Sequence, residues 1–291
     1  MELQDIFKQK RPNLTPSTLY AYCSTLRALH KRVFDDSIID VENFKNTEII
    51  LQHLKHKETA SRKTTLSILY LLTECEEYKE QMNKDIEEVN KQTDKQEMNE
   101  KQKEAHKSQE QIREIFERYK SVAEILYNKK TITETDKQTI QKYIIIALTS
   151  GIFIPPRRSL DWCEFKINNI TPDSNYLDGD NFVFNRYKGS GTKGQQIVAC
   201  PPQLKNLLYR WIAINENDYL LFDQHNNKLT SIKMNQRLNR IFEGTTGINA
   251  LRHSYLSSKF QHLINEEHEL VSTMTSMGSS IAQKKVYINK L

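Results

Sequence analysis

The sequence predicts a mainly α protein with a small antiparallel β-sheet, and three observations carry that expectation. Apolar residues recur at helical spacing through much of the chain, as in Leu19, Tyr22, Leu26, Leu29 and Val33. The stretch from Cys75 to Tyr119 is rich in charge and holds neither glycine nor proline, the residues that most often end helices. Short runs of strand-forming residues are confined to one region, between Phe165 and Ala199.

In chain order, Thr15-Pro16-Ser17 stands just ahead of the first periodic run, placing a cap and a proline where a helix begins. Helices from about Thr47 to Lys55 and from Ala60 to about Leu72 follow the same pattern. Residues 1–74 are therefore expected to form a small helical bundle with Lys31, Arg32, Lys55, Lys57, Arg62 and Lys63 on its outward faces. Residues 75–130 read as a charged helical linker. Its thin apolar row (Met82, Ile86, Val89, Ile112, Ile115, Phe116) does not sustain a heptad, so helix is expected at its two ends and mobility between Thr93 and His106.

Residues 131–291 form the third region. A helix runs from Thr133 to Thr149, closed by Ser150-Gly151. Three strand candidates come next, Phe165 to Ile167, Phe182 to Arg186 and Gln195 to Ala199, the last two flanking the glycine-rich turn KGSGTKG. Helices are then expected from Pro202 to Ile214, Ile232 to Phe242, Asn249 to His262 and Glu266 to Met277, with a short last one over Ile281 to Tyr287.

Composition narrows the function classes only modestly. A formal charge of +5 and a pI near 8.8 are compatible with a polyanionic partner without demanding one. The four cysteines, Cys23, Cys75, Cys163 and Cys200, lie far apart, with neither zinc-site pairs nor the density of a disulfide scaffold, which reads as a reducing compartment. No apolar run approaches a membrane span, and the first residues carry no signal-peptide pattern. KGSGTKG lacks the spacing and following helix of a nucleotide-binding loop. His262 and His268 are spaced wrongly to share one helical face as metal ligands.

Four local patterns stand in order. TSGIFIPPRRSLDW places Arg158 three residues before Asp161, the strand turn carries Lys188 and Lys193, ALRHSY carries Arg252 and His253, and MGSSIAQKKVYINKL carries Tyr287. Singly, each has an ordinary structural meaning: an arginine beside an acid is usually a surface ion pair, and a tyrosine at helical spacing usually packs. Their order is more specific. In it the chain resembles the tyrosine recombinase or phage integrase family, most strongly from Thr149 to Tyr287. PPRRSLDW, RHSY and MGSS are more similar to the integrases of large DNA viruses and their mobile elements than to bacterial chromosome-resolving enzymes.

The resemblance implies a helical core-binding domain over residues 1–74 and an α+β catalytic domain over residues 131–291. It implies double-stranded DNA as partner, a tetramer on paired sites, and strand exchange that uses neither nucleotide nor other cofactor. Arg158 and Arg252 would stabilise the charge of a five-coordinate phosphorus, since a guanidinium bonds two phosphate oxygens and keeps its proton. Lys188, with Lys193 as substitute, would protonate the leaving 5′-oxygen, and Tyr287 would attack phosphorus. Arg157 and His253 are the alternates beside the two arginines, and Lys31, Arg32, Arg62 and Lys63 the expected DNA contacts. The chain departs from the family at Asn249, usually histidine or lysine, and at Ser279, usually histidine or tryptophan. Neither side chain carries a proton near neutral pH, so slower chemistry is expected. His253 and Tyr255 are expected to be buried, the first hydrogen-bonded and the second in the core.

Overall fold

The computed structural model of the protein describes residues 3–36 and 38–281. The chain divides into two compact units, Met1–Glu97 and Met98–Leu291, each with its own hydrophobic core.

The first unit is all-helical: α1 (Leu3–Lys10), α2 (Pro16–Phe34), α3 (Thr47–Leu54), α4 (Thr59–Thr73) and α5 (Glu76–Asp94), with a 3₁₀ turn at Glu42–Lys45. The Thr15 hydroxyl accepts from the Thr18 N–H and Pro16 opens α2, as the cap signal predicts. Phe7, Leu26, Phe44, Ile50, Leu66 and Tyr78 make the centre of the core. The charged α5 joins this unit by lying along α4. Tyr78 is buried and donates its hydroxyl to the Phe44 carbonyl at 2.7 Å. Asp85, 1% exposed, accepts from Arg62 Nε at 2.8 Å and Nη2 at 2.7 Å and from Gln81 at 2.8 Å. Arg62 therefore ties α4 to α5 instead of standing on the outward basic face. The correction has a tertiary cause, because α5 covers a side chain that α4 alone would leave in water.

The second unit holds α6 (Glu100–Ala105), α7 (Gln109–Tyr127), α8 (Glu134–Thr149), α9 (Ser159–Cys163), β1 (Tyr176–Asp178), β2 (Asn181–Phe184), α10 (Ser190–Lys193), β3 (Gln196–Ala199), α11 (Pro202–Ile212), α12 (Ser231–Ile241) and α13 (Ile248–Ser276). Both ends of the charged 75–130 stretch are helical, and α6 and α7 begin in capping boxes at Asn99 and Ser108. That stretch is shared between the units, α5 falling in the first and α7 packing on α8 in the second.

Helix α8 is the axis of this unit: Ile144 through Leu148 are all wholly buried, so every side of its C-terminal half meets protein. α7, α11, α12 and α13 pack around it. The sheet is an antiparallel meander in the order β1-β2-β3, with Tyr176 opposite Val183 and Val183 opposite Ile197. Trp162, Phe165, Phe182 and Phe184 pack mostly edge to face, with centroids 5.3 to 6.1 Å apart, and join α9 to β2.

Two sequence expectations change here. Phe165 and Lys166 form only isolated bridges, to Asn175 and Tyr219, because their backbone bonds reach two different segments. The third strand is instead Tyr176–Asp178, turned into β2 at Gly179-Asp180. The two helices expected after Asn249 are present within α13, but they meet at a kink at Phe260 (φ −121°, ψ 15°) instead of being parted by a gap between His262 and Glu266. Among the described residues no helix is long and apolar enough to cross a membrane. The last expected helix, over Ile281 to Tyr287, lies outside the described residues except for Ile281.

The start of α8 has a consequence for acid stability. Asp136 accepts from Lys129 Nζ at 2.7 Å and from the N–H and hydroxyl of Thr133 at 3.0 and 2.8 Å, which lowers its pKa from 3.8 to about 2. A carboxyl depressed on folding contributes stability above its unfolded pKa and loses it as pH falls through the folded one. Urea unfolding should show wild type losing its advantage over Asp136→Asn between about pH 4 and pH 2. An advantage unchanged across that window contradicts the account.

Candidate functional site

The end of α8 sets the site's first fixed point. Gly151 takes φ +84°, the left-handed value that ends many helices at glycine. A Cβ there would lie 2.4 Å from Cδ2 of Tyr255, so the α13 ring sits directly on the glycine backbone. Tyr255 is thus half-buried against Gly151 rather than sunk in the core, and its hydroxyl accepts from Lys259 Nζ at 3.2 Å. Helix packing at a bare backbone placed it there, which its position in α13 could not reveal.

From Gly151 the chain passes Pro155-Pro156 to Arg157 and Arg158, and the two arginines divide their roles. Arg157 Nε donates to Asp161 Oδ2 at 2.8 Å and Nη2 to Gln196 Oε1 at 3.0 Å, while its guanidinium lies 3.8 Å from the Phe184 ring centroid. It is a pin between α9, β2 and β3. Arg158, in extended conformation ahead of α9, is exposed.

Asp161 is only 4% exposed, and its buried Oδ1 has no hydrogen-bond partner among the described residues. Burial raises its pKa, while Arg157, Arg158 and Arg252 all act to lower it. Three guanidinium groups therefore lie within the electrostatic reach of one carboxylate. Among the described residues, Arg157 alone is bonded to it. Arg158 and the half-buried Arg252 form no side-chain hydrogen bond or ion pair with any described residue.

The lysines sit on a turn tied to the same acid-bearing helix. Asn175, wholly buried, donates to the carbonyls of Asp161 and Arg186, both at 2.8 Å, and accepts from the N–H groups of Asn185 and Arg186 at 2.8 and 2.7 Å. The hydroxyl of Tyr187 donates to the Gly194 carbonyl at 2.7 Å and closes the base of the turn. Above that base Gly189 (φ +98°) and Gly194 (φ +67°) flank the single helical turn α10. Lys188 and Lys193 are both exposed and without partners among the described residues.

Helix α13 is aimed by its first residues. The Ile248 N–H donates to Asn235 Oδ1 of α12 at 2.9 Å, and Ile248 and Leu251 enter the core. Asn249 and Arg252, three apart, share one helical face, with Asn249 exposed. His253 is exposed and has no side-chain partner among the described residues, which corrects the expectation of a buried, hydrogen-bonded histidine. Its turn toward water follows from Leu251 and Ser254 taking the buried positions on either side. Ser279 is half-buried beyond the end of α13, its N–H donating to the Met274 carbonyl at 2.8 Å. Tyr287 lies outside the described residues.

Arg158 and Arg252 thus both bear electrostatically on Asp161, and the Lys188 turn is linked to α9. Asn175 and Gln196, which do the linking, carried no motif in the sequence.

No family model matches the chain, and no curated protein matches it. Solved structures do. One is XerA recombinase, with 11% identity over 89% of this chain and 84% of that one and a TM-score of 0.37. A lambda integrase dimer bound to a COC′ core site has 11% identity over 88% of this chain and 89% of that one, with a TM-score of 0.46. Lambda integrase bound to DNA has 13% identity over 89% of this chain and 88% of that one, with a TM-score of 0.47.

Because Gly151 combines a left-handed φ with the close Tyr255 ring, Gly151→Ala should cost about 1–3 kcal/mol, read as a lowered thermal midpoint. Gly191→Ala, whose Cβ would meet nothing within 4 Å, should leave the midpoint nearly unchanged. Equal effects of the two substitutions would remove the packing argument for Tyr255.

Proposed function

We propose that the chain is a site-specific DNA recombinase of the tyrosine type, cutting and rejoining duplex strands through a 3′-phosphotyrosine link. The observation that carries the reading is the pair Arg158 and Arg252, both within electrostatic reach of buried Asp161 and neither committed to a partner among the described residues. Such a pair suits the extra charge on the non-bridging oxygens of a phosphodiester under attack. The Tyr287 oxygen forms a bond to phosphorus as the bond to the 5′-oxygen breaks, and Lys188, or Lys193 on the same turn, gives that oxygen its proton. Rejoining is the reverse displacement by a 5′-hydroxyl. One phosphoester replaces another at each step, so no nucleotide is consumed.

Asn249 and Ser279 would hydrogen-bond the phosphate without carrying protons, which slows the chemistry. Lys31, Arg32 and Lys63 would supply phosphate contacts from the first unit, and exchange would proceed in a tetramer on paired sites. The likeness of PPRRSLDW, RHSY and MGSS to integrases of large DNA viruses and mobile elements belongs to the same proposal. A second reading is favoured by the same Asn249 and Ser279: a DNA-binding relative that keeps the fold and lacks strand transfer.

A nicked duplex carrying the cognate site separates the two. The recombinase yields a covalent protein–DNA adduct that Tyr287→Phe abolishes, whereas tight binding with no adduct establishes the second reading. Arg158→Ala and Arg252→Ala should each abolish the adduct and leave most of the duplex affinity. Affinity lost in step with cleavage would place these arginines away from the scissile phosphate. Within the first unit, Lys31→Ala and Lys63→Ala should weaken duplex binding with little change in folding. Arg62→Ala should instead lower the unfolding midpoint by stranding Asp85, at a cost of about 3–5 kcal/mol.

A further inference from the structure

A second concentration of positive charge lies where α12 meets the N-terminal half of α8. A cavity of about 370 Å³ opens there, lined by Lys142 of α8, Asp223 and His225 of the loop before α12, and Lys233, Arg237 and Arg240 of α12. Positions 233, 237 and 240 fall on one stripe of the helix. Four cations thus face one carboxylate, an excess of three positive charges.

That carboxylate is already engaged. Asp223 is 4% exposed, and although burial opposes its ionisation, bonds from Lys233 and from the N–H groups of His225 and Asn227 hold its pKa at about 2. Arg237, half-buried, finds only neutral acceptors: Gln141 Oε1 and Gln138 Oε1, each at 2.5 Å, and the Phe222 carbonyl at 3.0 Å. Those bonds fix the plane of the guanidinium without an ion pair, and its Nε–H has no acceptor among the described residues. Burial pulls the Arg237 pKa below its ordinary value; the Asp223 carboxylate opposes that in part and Arg240 adds to it. Lys142 and Arg240 have no hydrogen-bond or ion-pair partner among the described residues.

Like charges gathered at a concave surface repel one another, and an anion between them removes that cost. A guanidinium held by neutral groups is oriented for a ligand without being neutralised. The volume equals that of about a dozen waters, enough for linked phosphates. We propose that this cavity binds phosphate groups, seated between Lys142, Arg237 and Arg240. The phosphates of a small polyphosphate fit its concave shape. The same chemistry on a nucleic-acid backbone is the other source, and it alone rests on the DNA-binding reading.

The test uses the full chain, wild type and with Lys142→Ala, Arg240→Ala and both together, folding being checked by circular dichroism. Calorimetry with inorganic pyrophosphate should show binding to wild type, about tenfold weaker binding to each single variant and none to the double. Tyr287→Phe should bind pyrophosphate as wild type does, so failure of the recombinase reading leaves this arm intact. If pyrophosphate does not bind but the double variant weakens duplex affinity and lowers the salt slope by about two, the seat takes a backbone phosphate. Pyrophosphate bound equally by wild type and the double variant overturns the proposal. So does its failure to bind together with unchanged duplex affinity and slope. Should the double variant misfold, the single variants decide by the same comparisons.

Discussion

A buried carboxylate governs the second unit's site. Asp161 sits at 4% exposure with one oxygen bonded to Arg157 and the other without a partner among the described residues. An ionised acid in that position is costly unless positive charge surrounds it. Arg157, Arg158 and Arg252 offset that cost only in part, since burial still holds the Asp161 pKa above its ordinary value. Arg157 converts the arrangement into architecture: bonded to Asp161, bonded to Gln196 and stacked on Phe184, it holds α9 to two strands of the sheet.

The elements that carry the other charges differ in rigidity. Arg252 stands on a helix whose start is fixed by Asn235 and whose next turn presses Tyr255 onto Gly151. Arg158 immediately precedes a helix buried through Trp162 and its aromatic neighbours. Lys188 and Lys193 sit at the exposed end of a turn that is firm only at its base, where Asn175 and Tyr187 close it. On the proposed reading this division matches the chemistry, since stabilising a transition-state charge needs groups already in place. Delivering a proton to a departing oxygen tolerates a group that moves.

The helices were legible because their signals are local: apolar spacing, the Thr15-Pro16 start of α2, Thr133 ahead of α8 and Gly151 after it. The strand Tyr176–Asp178 had a local signal too, the Gly179-Asp180 pair with glycine at the first position of a two-residue hairpin turn, but Phe165 drew the assignment through its aromatic character. Its ring is core and its backbone is not strand. The burial of Arg62, the exposure of His253 and the seat of Tyr255 were not legible at all, because each is decided by a helix arriving from elsewhere in the chain. The same holds within the site. The order of Arg158, Lys188 and Arg252 was readable, whereas the hub formed by Asp161, Asn175 and Gln196 exists only once the sheet has folded against α9.

The central claim is that a DNA phosphate occupies the space between two guanidinium groups. A high-resolution structure of the chain on a nicked cognate duplex tests it most directly. The account predicts one phosphate with its non-bridging oxygens within about 2.7–3.2 Å of nitrogens on both Arg158 and Arg252. A bound duplex whose phosphates all lie elsewhere, with neither of those side chains within hydrogen-bond distance of one, would contradict it.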